Sequence, residues 1–156
     1  MTLSTPAIGM IIALAACLVL PVSAWSRDDA GQKADAEQSG IRAFCKQHHN
    51  GKVLSRTELF FGLSKPGGIV SEADFQRFME TEVTPRFPAG LTVLNANGQF
   101  KDATGTIIQE DSKLVILHFP ATKANHDAVE RIRNAYKAAF QQESVLRVDR
   151  QTCVSY

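Results

Sequence analysis

The chain has 156 residues, which is enough for one domain with a hydrophobic core of its own. Its 17 basic and 16 acidic residues give a formal net charge of +1, so the composition excludes the strong basic excess of a typical nucleic-acid-binding protein. Hydrophobic residues make up 44% of the sequence, which indicates a globular protein and excludes a fully disordered one.

The N-terminal segment is apolar and carries no Asp, Glu, Lys or Arg before residue 27. The run from Ile8 to Ala24 has the length of the hydrophobic region of a secretory signal, and it ends in small residues, Val-Ser-Ala. We therefore expect residues 1–24 to be a cleaved signal peptide and the mature protein to be periplasmic or secreted.

Two other fates of this segment stay open. The stretch from Leu14 to Cys17 resembles the lipobox of bacterial lipoproteins, in which Cys17 would be lipidated and become the new N-terminus. The segment is also long enough to remain as an uncleaved membrane anchor. We expect contact with a membrane only in these two cases.

Residues 25–52 are predicted to form a tether and a short N-terminal segment. The part from 25 to 39 is rich in Asp, Ala, Gln, Gly and Ser and has no apolar periodicity, which is typical of a flexible linker. A short helical turn is predicted over 41–50, where it would carry Cys45. The folded domain is predicted to span residues 53–156.

The domain begins with a predicted strand over residues 56–64, which alternate with a period of two. The turn formers of Lys65–Gly68 end it. Ser71 is the predicted N-cap of a helix, with Asp74 in a variant of the capping box. The apolar stripe of that helix comprises Phe75, Phe78, Met79 and Val83, and Pro85 and Pro88 end it.

The rest of the domain predicts a hairpin, a helix and a last strand. Strands over 91–101, with a bulge near Asn97-Gly98, and over 107–119 are joined by a short turn, so they should pair antiparallel. Residues 125–142 show the clearest helical stripe. The last strand is predicted over 144–149, with a break at 149–151 and an extension over 152–156.

This order of elements predicts an α+β fold, the ferredoxin-like split β-α-β-β-α-β arrangement. Right-handed crossovers would give a four-stranded antiparallel sheet in the order 4-1-3-2, with two helices on one face. The last strand then runs antiparallel beside the first. Cys45, before the first strand, and Cys153, after the last, would meet at one edge of the sheet, which favours a disulfide in an oxidising compartment.

Several blocks of this domain resemble one bacterial family, known only as a domain of unknown function, number 3574. They are TELFFGLS at 57–64, VTPRFP at 83–88, GLTVL at 90–94, ESVLRVD at 143–149 and CVSY at 153–156. The resemblance spans about residues 45–156. It implies small exported or lipid-anchored bacterial proteins, and it implies no reaction, cofactor or catalytic residue.

The face of the sheet without helices is the predicted binding surface. On it we place Glu58 and Phe60 from the first strand and, beside them, Val145, Arg147 and Asp149 from the fourth. The charged residues among these would form either a cross-strand ion pair or a ligand site in which Arg147 grips a carboxylate or phosphate. His118, at the end of an apolar strand, is a further candidate for the same surface, although a structural role is the simpler interpretation.

The remaining groups of polar residues predict no metal site, anion site or catalytic site. Cys45, His48 and His49 do not supply the three or four convergent ligands that a metal needs, so no metal and no cofactor are predicted. The Lys65–Gly68 stretch before a helix is interpreted as a plain turn rather than an anion site. No nucleophile with a base beside it and no catalytic carboxylate pair is recognisable.

Two functional hypotheses follow. The first is a non-catalytic exported module that binds a small molecule or a protein of the cell envelope. The second is an enzyme of the dimeric α/β-barrel type, with a pocket on the open face of the sheet.

The third predicted strand, over 107–119, bears on both hypotheses. It is apolar on both sides, while the two helices can cover only one face of the sheet. Either a second copy or the segment 41–54 folded back should therefore shield the other face.

Overall fold

The computed structural model describes the backbone of residues 25–156 and the side chains of residues 31–156. The predicted signal peptide, its cleavage site and Cys17 lie outside the described residues. The compact unit of residues 38–156 contains the sheet.

The described part of the chain contains three α-helices and six strands. The helices are α1 (Trp25–His49), α2 (Glu72–Phe78) and α3 (Lys123–Phe140), and a π-helical turn (Met79–Val83) continues α2. The strands are β1 (Lys52–Gly62), β2 (Ser64–Lys65), β3 (Gly68–Ile69), β4 (Leu91–Lys101), β5 (Ile107–Phe119) and β6 (Leu146–Val154).

The N-terminal region differs from the prediction, because one continuous helix, α1, replaces both the flexible tether and the short helical turn. The segment holds Ala, Gln, Glu, Lys and Arg, all good helix formers, and no proline. A search for an apolar stripe misses such a helix because its side chains are polar on almost every side. Asn50, in the left-handed conformation with φ 45°, follows its last residue.

No helix among the described residues is both long and apolar enough to cross a membrane.

The four long strands form one antiparallel sheet in the spatial order β4-β5-β1-β6, as expected from right-handed crossovers. The predicted bounds of β4 and β5 are confirmed. The expected bulge near Gly98 is absent, since Asn97 and Gly98 pair in unbroken register with Asp111 and Glu110. The expected break in the last strand is also absent, since β6 pairs with β1 continuously.

Both α2 and α3 pack on one face of this sheet, which we call the helix face. Phe61 of β1 lies at the centre of the core and is fully buried. Its ring contacts Phe75 and Phe78 of α2 and Tyr136 of α3, with centroids 4.6 to 5.9 Å apart and tilted edge to face. A single strand residue thus anchors both helices on this face, so neither α2 nor α3 covers the opposite face of the sheet, which we call the open face.

The predicted disulfide is present. Cys45 of α1 is bonded to Cys153 of β6, at a sequence separation of 108 and with Cα atoms 5.4 Å apart. Such a loop closure stabilises by about 4–5 kcal/mol in the chain-entropy model, an upper figure. Gly51 lies against the bond, because a Cβ there would meet the Val154 carbonyl at 2.6 Å and both sulfurs at about 3 Å.

The disulfide also decides one predicted alternative. Cys153 pairs with Val53 and, by the alternation of β6, its side chain is on the helix face. The segment 41–54 is therefore the end of α1 and the start of β1, and it is not folded over the open face. The fold-back was expected because the disulfide would hold the segment close by, but Cys153 holds it on the helix face instead.

We expect Ser71→Ala to lower the free energy of unfolding by about 1 kcal/mol. The Ser71 hydroxyl accepts the Asp74 N–H at 3.1 Å and donates to the Asp74 carboxylate at 2.8 Å, so alanine leaves the first turn of α2 uncapped. Denaturant melts measure the change. Ser71→Asp, which retains a capping oxygen, is the control, and equal midpoints for the wild type and the alanine variant would contradict the capping role.

Candidate functional site on the open face

The open face carries an apolar surface that spans all four long strands. Leu94 and Phe100 of β4 and Leu146 and Val148 of β6 are 40 to 58% exposed. Phe60 of β1 lies between them, directly opposite Leu114 of β5 on one side and Leu146 on the other. A contiguous apolar patch of this kind marks a binding surface more often than a scattered apolar residue does.

A cavity of about 260 Å³ opens on this face, at the end of the sheet where β6 begins. Its floor consists of residues with little or no side chain, one or two from each of three strands: Gly62, Ala96, Gly98 and Ser112. Its apolar walls are Phe60, Phe100 and Leu146. The cavity exists because large side chains surround small ones on one side of a sheet.

Gly98 leaves space in the cavity, although the backbone at this position does not require a glycine. Its φ is not in the left-handed region, and a Cβ there would meet only the Ser112 hydroxyl oxygen, at 3.8 Å. A side chain at this position would therefore enter the cavity without strain. Gly62 is different, because a Cβ there would lie 2.3 to 2.7 Å from the Glu110 carboxylate.

The polar groups of the cavity lie at its edge. Glu110 accepts a hydrogen bond from the Ser64 backbone N–H at 2.8 Å and lies over Gly62. The hydroxyl of Tyr136, below in the core, donates to the Gly62 carbonyl at 2.8 Å. Burial and the nearby charge of Glu110 raise the pKa of Tyr136 well above its usual value, so this donor stays protonated. Gln142, Glu143 and Ser144 complete the rim from the loop before β6.

The predicted residue Glu58 is on the open face, but outside the cavity. Its carboxylate accepts hydrogen bonds from Arg56 at 2.8 Å and from Arg150 at 3.0 Å. The hydrogen bond from Arg56 is the main reason that the pKa of Glu58 lies below its usual value. The ion pair expected at this position exists, although its cations are Arg56 and Arg150 and not Arg147.

His118 also lies on the open face, opposite Arg56 in the register of β1 and β5. Burial, and secondarily the positive charge of Arg56, lower the pKa of His118 below its usual value, which favours the neutral ring. It does not line the cavity. Of the predicted surface residues, Phe60 alone does so.

Arg147 and Asp149 are on the helix face, so their predicted placement beside Glu58 was wrong. In the register of β6 with β1, Arg147 is opposite Leu59 and Asp149 is opposite Thr57. Val145, expected on the same open face, precedes β6 and is buried in the core at 1% exposure. Alternation along the last strand did not decide which side faces the helices, and there Arg147 bonds to Glu130 of α3 and Asp149 to Thr57 of β1.

These two residues form a charged network with α3. The Arg147 guanidinium donates to Asp149 at 2.7 Å and to Glu130 at 2.8 Å. It also lies 2.6 Å from the ring nitrogen of His126. Thr57 donates to Asp149. Every polar atom of Arg147 that the ligand hypothesis needed thus already has a partner within the chain, so the network is structural and binds β6 to α3.

The network also shifts the ionisation of its acids. Burial opposes the charge on Asp149, but hydrogen bonds from Arg147 and Thr57 outweigh it and hold the pKa of this carboxyl below its usual range. Burial likewise opposes the charge on Glu130, and hydrogen bonds from Arg147 and Arg133 lower its pKa overall. Both acids therefore stay charged well below neutral pH.

Two hollows lie on the helix face of β4 and β5, with volumes of about 600 and 390 Å³. Polar side chains dominate them, among them Asn95, Asn97, Gln99, Gln109 and Asp111, and no aromatic side chain lines either one. Small-molecule sites are usually apolar with a few polar groups, which describes the open-face cavity better than these hollows.

No group of three or more His, Cys, Asp and Glu residues that could hold a metal ion occurs among the described residues. Cys45 is in the disulfide, and the rings of His48 and His49 pack on Phe44, with centroids 4.9 and 5.4 Å away.

Most cavity residues were not predicted from the sequence. Glycines inside a predicted strand were the available signal, because a glycine in a strand often marks a close approach or an open space. At Gly98 that signal was interpreted as a bulge. Glu110 and Phe100 gave no signal of their own, since their faces follow only from the register of β4 with β5.

The family model described as Protein of unknown function (DUF3574) matches residues 56–156, well over half of the chain. Among curated proteins, none matches this sequence. Two solved structures of a phage SAM lyase match this chain, and the first of them is similar in fold. The complex with S-methyl-5'-thioadenosine is 14% identical to this chain and has a TM-score of 0.53. The match covers 66% of this chain and 90% of the lyase chain. The apo structure is 15% identical, with coverages of 70% and 95% and a TM-score of 0.49.

We expect Arg147→Met to reduce the loss of stability in acid. In the wild type, Asp149 and Glu130 have lowered pKa values in the folded state, so the unfolded chain binds more protons as the pH falls toward these values, and the unfolding free energy decreases. Without Arg147 their pKa values return toward normal and this contribution shrinks. The change is modest, because both carboxylates are 40% or more exposed.

Denaturant melts from neutral to acid pH measure the slope of the unfolding free energy against pH. Arg42→Met, an exposed change on α1, is the matched control and should keep the wild-type slope. The same slope for Arg147→Met would contradict the role of the network.

Proposed function

This chain belongs to the DUF3574 family, and we propose that it is an exported, non-catalytic binding module that takes a small ring-bearing molecule in the open-face cavity. The observation that carries the proposal is the cavity itself, with two aromatic walls, Phe60 and Phe100, above a floor of small residues. Aromatic side chains favour planar rings, which stack on them or meet them edge to face.

The charges at the rim narrow the chemistry of the ligand. Glu110 and Glu143 line the cavity, and no Lys or Arg does. A carboxylate at a partly desolvated site attracts N–H donors and cations and repels anions. The cavity therefore suits an uncharged or cationic ligand, with the Ser112 hydroxyl able to donate to its acceptors. The anion expected from Arg147 does not fit this site.

Export is supported by two observations on different parts of the chain. The Cys45–Cys153 disulfide is stable only where the environment is oxidising, as outside the cytoplasm. The apolar segment that ends at Ala24 has the pattern of a cleaved signal. Together they favour a periplasmic or secreted protein, with lipidation at Cys17 as the alternative.

The ferredoxin-like arrangement is part of the proposal. The order β1-α2-β4-β5-α3-β6 along the chain, with β4-β5-β1-β6 across the sheet, supports it. In this arrangement the open face is the natural place for a ligand, because the other face is filled by the core.

We expect Gly98→Val to abolish ligand binding without loss of fold. Valine is at home in a strand, and its side chain would enter the cavity from the floor. The measurement is thermal shift, with titration calorimetry of hits, against nucleosides, aromatic amines and small anions. Thr92→Val, on the same face but outside the cavity, is the control. Equal binding by wild type and Gly98→Val, or binding confined to anions, would contradict the site.

A second candidate is the enzyme of the α/β-barrel type with its pocket on the same face. The likeness of fold to a phage SAM lyase favours it, although at 14% identity the likeness concerns the fold alone. The same screen separates the two candidates when it includes S-adenosylmethionine and methylthioadenosine. Consumption of S-adenosylmethionine by the wild type, but not by Gly98→Val, would replace the non-catalytic proposal, whereas binding without turnover supports it.

A further inference from the structure

We propose that a second copy of this chain covers the open face, with the two sheets packed face to face and their ends reversed. The apolar surface needs such a cover. Leu114 of β5 lies at its centre, beside Ile116, which is itself buried at 8% exposure, and Leu94, Leu146 and Val148 extend it across the outer strands at 43 to 58% exposure. The segment 41–54 does not supply that cover, since it is the end of α1 and the start of β1.

The charges on the open face are separated along the strands. At one end, Arg56 and Arg150 share the single carboxylate of Glu58, so one positive charge remains, and Arg150 is 62% exposed. At the other end, Glu110 and Glu143 line the cavity. Neither of these two carboxylates forms a salt bridge with any basic side chain among the described residues.

This separation selects one way for two copies to pack. A two-fold axis between the sheets and perpendicular to the strands places the arginine end of each copy over the acidic end of the other, twice per dimer. An axis parallel to the strands would instead bring arginine end to arginine end, which like-charge repulsion disfavours. The face is thus self-complementary in charge only when the ends are reversed.

The cavity is completed by this arrangement. It is open on its outer side, and the arginine end of the second copy would lie above it. Arg150 of that copy would then approach Glu110 and Glu143 and restrict the ligand to small, mostly uncharged molecules. The association itself needs no ligand, so it is testable separately from the proposed binding.

The experiment is charge-swap complementation, followed by sedimentation velocity from micromolar to millimolar concentration. We expect the processed wild-type protein to be a dimer. Arg150→Glu alone and Glu143→Arg alone should each weaken the dimer by roughly tenfold or more, because each places two like-charged pairs in the interface. An equal mixture of the two variants should restore it, because a mixed dimer pairs opposite charges at both contacts.

Both positions are exposed, so the variants should fold, and circular dichroism checks this. Arg131→Glu on α3 is the control and should leave the dimer unchanged. A wild-type monomer at every concentration would overturn the proposal and leave a different protein as the cover. So would a dimer insensitive to both reversals, or rescue of Arg150→Glu by the wild type instead of by Glu143→Arg, which would mean that like ends meet.

Discussion

The packing of both helices on one face of the sheet is the constraint on which the rest of this structure depends. Phe61 and Tyr136 are fully buried where α2, α3 and β1 meet, and the hydrophobic core grows around them. Because α2 and α3 share that face, neither of them covers the apolar residues that the strands carry on the other side. Leu146 and Val148 on β6, exposed at 58% and 43%, are the consequence. Both the cavity and the self-complementary surface arise from this one-sided packing.

The fold was largely predictable because local patterns and connectivity agree. Alternation and short turns located β4 and β5 with their exact bounds, and the right-handed crossover rule gave the strand order. The face of β6 was not predictable in the same way. Alternation shows that Val145, Arg147 and Asp149 share a side, but not which side, and only pairing with β1 decides it. An edge strand tolerates charge on its core side, so polarity does not decide which face such a residue occupies.

The candidate site was predictable only in part, for a related reason. Phe60 could be found because it is an aromatic residue on the polar side of an alternating strand. The floor of the cavity could not, since Gly62, Gly98 and Ala96 act through the absence of a side chain, and their alignment depends on the register of three strands. Sequence patterns report groups that are present, and they report empty space poorly.

The central claim is that the open face is the functional surface of this family member. Methyl NMR spectra of the processed protein, recorded as its concentration rises and as ring-bearing ligands are added, test it most directly. The account predicts shifts confined to the open-face methyl groups of Leu94, Leu146 and Val148. The methyl groups of Val93, on the helix face of β4, should not shift. Shifts centred on Leu63 and Ile69, which line a hollow on the helix face, or no shifts at all, would contradict it.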